Sequence, residues 1–231
     1  VPKVMVSTLA SGDVAPYVDV SDINMFPSIT DIAGLNQISR AILHNAAQAL
    51  IGMVRSPYSG VTDTKMAVGL SMFGVTTPSV TGISDRLSEH FDCLVFHATG
   101  TGGRAMERLL ADGLLDGLLD ITTTEIADLL VGGVLSANAD RLDVVAKTGL
   151  PYVGSVGALD MVNFWAPASV PERVKDRQFY DHNPNVTLMR STPEECVELG
   201  HWIADKLTAC QGPARFLIPE KGISALDIEG G

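Results

Sequence analysis

Apolar runs of strand length alternate with amphipathic runs of helix length along nearly the whole chain. No other feature of the sequence constrains the fold as much. "KVMVST" (3–8), "MAVGLSMFG" (66–74), "CLVFHAT" (93–99), 117–121, "LPYVGSV" (150–156), "VTLMRS" (186–191) and "ARFLIP" (214–219) read as strands. Between them, Leu35, Ile38, Ile42, Ala46 and Leu50 recur at helical spacing over 31–54, and 103–113 reads as another helix. A helix opens at Pro78 behind Thr77, since proline suits the first helical position. Thr122–Glu125 and Thr192–Glu195 match the capping box and predict two further helix starts. Such alternation predicts an α/β protein with a Rossmann-like open, mostly parallel sheet and helices on both faces. Residues 164–185, with Pro167, Pro171 and Pro184, read as a long irregular segment. No composition shift marks a boundary, so 1–231 reads as one domain.

In open α/β sheets ligands bind beyond the carboxyl ends of the strands, so the residues following each strand matter most. They are Ser7, Thr8, Ser11, Gly12 and Asp13; then Gly74–Thr77; Gly100, Thr101, Gly102, Gly103 and Arg104; Thr123, Thr124 and Glu125; Gly154–Gly157; and Lys221 beside Gly222. Glycine lets backbone N–H groups approach an anion, hydroxyls add donors, and a helix start adds partial positive charge. Together these ends predict a rim that holds a phosphate or carboxylate, with Arg104 and Lys221 as its cations. Gly100-x-Gly102-x-x-Ala105 also fits a dinucleotide fingerprint, with Asp120 placed as a ribose acid. The bland alternative is a tight turn followed by a helix cap. His97, just before the glycines, and His182, in the proline-rich segment, are the candidate catalytic bases. Their alternatives are a satisfied core histidine and a solvated one.

The net charge of −11 argues against nucleic acid or an anionic membrane as partner. A local basic patch could still bind a small anionic ligand. No apolar run reaches the length of a membrane span. Three cysteines without a C-x-x-C pairing, two of them about 21 Å apart along one helix, point to a reducing, cytoplasmic setting. No His/Cys/Asp/Glu cluster has zinc spacing. A homo-oligomer is expected, with no interface readable.

"PKVMVSTLASGD", "VFHATGTGGRAMERLL", "LLDITTTEIADLLVGGVL", "GALDMVNFW" and "HNPNVTLMRST" strongly resemble the uncharacterised bacterial and fungal family that shares its domain with the tomato mosaic virus resistance protein of plants. That family is often labelled Tm-one-like, ATP-binding. The resemblance implies two Rossmann-like halves, with this chain as the second. It further implies that a first half and a C-terminal tail lie outside this chain, and that ATP is the ligand. It adds Glu107, Asp160, Asn163, Asn183 and Arg190 to the site candidates above. Three functions follow as expectations. One is a nucleotide-binding domain, with ATP first and NAD second. Another is an enzyme domain acting on a small carboxylate or phosphorylated metabolite, in a cleft with the first half. The third is a non-catalytic interaction module.

Overall fold

The structure, a computed structural model, describes residues 1–56 and 65–227. Contacts divide the chain into two compact units, Val1–Asp63 and Thr64–Gly231, rather than the one domain that the strand pattern suggests. The reason lies in strand pairing. β1 (Val4–Ser7) pairs in parallel with β2 (Asn24–Pro27) in a sheet of two strands. Neither joins the larger sheet.

In the first unit, the single turn α1 (Ala15–Val18) lies between those strands and α2 (Gln37–Arg55) packs on both. The helix starts six residues later than its apolar spacing alone predicts. Asn36 caps it: Asn36 Oδ1 accepts from Ser39 N–H (2.9 Å), and Ser39 Oγ accepts from Asn36 N–H (2.9 Å). Little of this unit's apolar surface is buried. Ala46 is its only core residue among the described residues, while Leu35, Ile38 and Val54 stay exposed.

The second unit is built on β3 (Met66–Met72), β4 (Phe91–His97), β5 (Gly117–Thr122), β6 (Tyr152–Gly157) and β10 (Ala214–Leu217). All five are parallel, in the order β10-β6-β5-β3-β4. This is the expected Rossmann-like α/β sheet, in the doubly wound order whose direction of winding reverses between its first and third strands, here β3 and β5. Side chains alternate across it as the pleat requires. Val68 and Leu70 of β3 and Ile121 of β5 pack with Val80 of α3 (Thr77–Leu87). On the other face, Leu118 of β5 and Tyr152 of β6 share a core with α4 (Gly102–Ala111), α5 (Thr124–Val131), α6 (Asp143–Thr148) and α7 (Pro193–Thr208).

Residues 164–185 are more ordered than the prolines suggest. β7 (Met161–Phe164), β8 (Phe179–Asn183) and β9 (Val186–Arg190) form an antiparallel sheet in the order β7-β9-β8, inserted between β6 and α7. The prolines fall between its strands and leave the ladder intact. Of the two predicted capping boxes, the one at Thr192–Glu195 forms. That at Thr122–Glu125 does not: Thr123 stands at the N-cap of α5 and makes no side-chain cap bond. The Glu125 side chain is engaged elsewhere.

Candidate functional site

The glycine loop after β4 is the natural starting point, because its amides were the expected anion donors. They already hold an anion. Gly100 N–H (2.7 Å) and Gly103 N–H (3.1 Å) both donate to Oε1 of Glu125, which is fully buried. The other carboxylate oxygen faces Arg141 Nε at 3.3 Å. The glycines are explained by this close approach. Gly100 has φ +85°, and a Cβ at Gly103 would overlap the Glu125 carboxylate.

Arg141, with none of its side chain exposed, is the centre of a larger network. Its Nη1 meets Glu107 Oε1 at 2.6 Å and its Nη2 meets Asp120 Oδ1 at 2.8 Å. Asp120 also accepts from Ser71 Oγ (2.7 Å) and the Tyr152 hydroxyl (3.2 Å). Asp120 is therefore no ribose acid at a strand tip; it is fully buried in the core. Burial alone would lower the Arg141 pKa, but Asp120, Glu107 and Glu125 together hold it well above its usual value. Burial raises Glu107 against the pull of Arg141. A buried cation ringed by three carboxylates is a structural device, since removing one partner strands charges away from water. The sequence held no signal for Arg141, which stands outside any helix in "SANADRLD".

The other predicted residues divide between the two units. Ser7, Thr8, Ser11, Gly12 and Asp13 belong to the first. Asp13 Oδ1 accepts from Ala15 N–H at the start of α1, and Ser7 Oγ accepts from Leu9 N–H. Thr8 and Ser11 line a shallow cavity of about 350 Å³ with Thr30 and Asp31. In the second unit, Thr101 stands at the N-cap of α4, and Arg104 Nη1 reaches Asn138 Oδ1 at 3.5 Å. Gly102, the first residue of α4, packs so close to the His97 carbonyl that a Cβ there would overlap it. Thr123 Oγ1 donates to Ser155 O, and Thr124 Oγ1 accepts from Asn163 Nδ2. Asp160 pairs with Arg190 at 2.7 Å and accepts from Ser224 Oγ. Lys221 lies exposed in the irregular segment after β10.

His97 and His182, by contrast, come together. Both line one cleft of about 560 Å³. His97 stands at the last position of β4, its ring stacked on Phe73 with centroids 5.5 Å apart. His182 sits where the β8–β9 register shifts between Asp181 and Asn183, an irregularity of the kind that re-aims a side chain. Thr99, Asn183 and Trp165 complete the polar and aromatic rim, and Val134 and Leu135 form a wall. No Asp or Glu is among the described lining residues.

That wall is fastened from behind by Asp128. Its carboxylate accepts from Leu135 N–H (2.7 Å), Asn163 N–H (2.8 Å) and Asn163 Nδ2 (3.1 Å). Burial pushes the Asp128 carboxyl up to about 6, against these bonds. A second cleft, of about 550 Å³, opens at the carboxyl ends of β3, β5, β6 and β10. Its walls are largely apolar, with Val75, Ile121 and Ile218 among them, and none of its described lining residues is ionisable.

Five parallel strands in a doubly wound order, with clefts at their carboxyl ends, define a Rossmann-like α/β protein. The uncharacterised protein family UPF0261 matches through its C-terminal domain over residues 65–231 and its N-terminal domain over 1–59. The chain belongs to that family. It is 66% identical to a UPF0261 protein of Mesorhizobium japonicum over 230 residues, spanning all of this chain and 58% of the relative. A Rhizobium meliloti relative is 68% identical over the same spans. The ToMV resistance protein Tm-1(GCR237) of Solanum lycopersicum is 46% identical over 236 residues, covering all of this chain and 31% of that protein. The chain thus spans little more than half the length of its bacterial relatives. The family boundary falls where the two compact units divide. Among solved structures, an aspartate transaminase from Corynebacterium glutamicum covers 66% of this chain and 38% of its own, at 10% identity and a TM-score of 0.28. No helix among the described residues is long and apolar enough to cross a membrane.

Proposed function

We propose that the second unit binds a small anionic metabolite, a carboxylate or a phosphate ester, in the cleft between His97 and His182, and serves as an enzyme domain acting on it. One observation carries this reading. The fold brings two histidines from distant parts of the chain onto one cleft with no Asp or Glu among its described lining residues, in a chain of net charge −11. No carboxylate among those residues, of an anion's own sign, stands at the cleft surface to repel it. An imidazole ring carries both a proton donor and a proton acceptor, so either ring can hold or move a proton at a bound substrate. Thr99 and Asn183 add neutral polar groups to the same rim.

A thermal-shift series with organic acids, sugar phosphates and nucleotides tests the reading. We expect stabilisation by one or more small acids or sugar phosphates, reduced in His97→Gln and His182→Gln. Stabilisation by nucleotides alone would count against it. A nucleotide, ATP first, is the second reading, and the second cleft favours it: apolar walls at four strand ends suit a base. The amides of Gly100 and Gly103 would not hold its phosphates, because Glu125 takes them. Calorimetric titration of ATP and NAD against the chain tests this reading, and no heat above buffer would exclude both.

A further inference from the structure

The cleft of the two histidines is unusually rich in rings. Phe, Tyr and Trp make up 6% of the chain, yet Phe73, Phe164 and Trp165 line this cleft beside His97 and His182. Their exposure differs in an informative way. Phe164 is 2% exposed and belongs to the core. Trp165, its neighbour, is 51% exposed at the cleft. A large ring left in water beside a concave site offers a face to a ligand. Phe73 and His97 are already stacked, at 23° between planes.

We propose that the ligand of this cleft is a planar anion, an aromatic or conjugated carboxylic acid. Its flat face packs against Trp165 and the Phe73–His97 pair, and its carboxylate lies toward the histidines. The proposal rests on the anion reading above and narrows it. Saturated acids of the same charge lose the ring contacts. Neutral aromatics lose the charge. A cleft of about 560 Å³ admits one or two fused rings with their substituents. Phosphorylated sugars, which the anion reading also allows, present no flat face and are excluded by this narrower form.

The test uses the 231-residue chain with three probes: benzoate, its saturated counterpart cyclohexanecarboxylate, and its neutral counterpart benzamide. Binding is read by calorimetry. Its location is read from the fluorescence of Trp165 in a Trp202→Phe background, because the chain holds only two tryptophans. We expect saturable quenching by benzoate and affinity about tenfold above that for either comparison probe, the scale of one to two ring contacts. Trp165→Leu should lower benzoate affinity about fivefold. Equal binding of benzoate and cyclohexanecarboxylate overturns the planar ligand and leaves the anion reading standing. Binding of succinate or glycerol phosphate without benzoate does the same. Failure of every carboxylate and phosphate to bind removes both.

Discussion

Replacing Glu125 with alanine would empty the nest that the glycine loop forms around it. Two buried N–H groups, of Gly100 and Gly103, lose their acceptor, and Arg141 loses one of its three carboxylates. A buried donor left unpaired costs roughly 1–3 kcal/mol. Breaking a buried ion pair on one side costs about 3–5 kcal/mol. These terms share the same atoms and do not add fully, so about 4 kcal/mol is the expected loss. For a unit of this size that corresponds to a fall in Tm of roughly 8–16 °C. Circular dichroism on heating measures it. The variant should also gain something the wild type lacks. With the carboxylate gone, the loop and Arg141 face a small space suited to formate or acetate, so added formate should restore part of the lost Tm in a saturable way. Glu125→Gln, which keeps an acceptor for both amides but loses the charge facing Arg141, should fall between. A Glu125→Ala protein that melts within about 2 °C of wild type would refute the reasoning, because one kcal/mol already shifts Tm by about that much.

Four further outcomes follow from the same structure. Arg141→Met leaves Glu107, Asp120 and Glu125 buried without their cation and should lose about 3–5 kcal/mol in urea unfolding. Asp128 titrates in the folded chain at about 6, above its ordinary 3.8. Its contribution to stability is therefore full below pH 3.8 and is lost as pH rises through about 6, a change of roughly 3 kcal/mol. Asp128→Asn should flatten urea-unfolding stability across that window, and an unchanged slope would exclude Asp128 as its source. Gly103→Ala drives a Cβ into the Glu125 carboxylate and should destabilise strongly. Gly200→Ala, in the interior of α7 with nothing within 4 Å of the new Cβ, should gain about 1 kcal/mol in the same measurement.

The central sheet was legible because buried parallel strands are continuous apolar runs, and "MAVGLSMFG" and "CLVFHAT" could be little else. The start of α7 was legible because Thr192 and Glu195 bond as their spacing predicts. Glu125 shows where such reading stops. Thr122–Glu125 has the same capping pattern, but the glycine loop after β4, two places along the sheet from β5, lies close enough to claim the carboxylate. That proximity is tertiary and leaves no trace in the local pattern. The antiparallel insert escaped notice for a different reason. β8, with Tyr180, Asp181, His182 and Asn183 all exposed, carries almost no apolar alternation. His97 and His182 could each be named from the sequence. Their shared cleft could not, because it depends on where that polar strand folds back.

The filled glycine loop also bears on competition. Glu125 is tethered to the chain, so its carboxylate faces the amides of Gly100 and Gly103 at an effective concentration that dissolved phosphate does not approach. It behaves as an inhibitor bound in cis, held on its far side by Arg141. A phosphate reaching those amides must displace it and leave a carboxylate and a guanidinium to find new partners in the core. Raising the ligand concentration does little against such a competitor. A loop with the look of a nucleotide cradle is in this chain a joint between β4 and α5, closed by the chain's own charge.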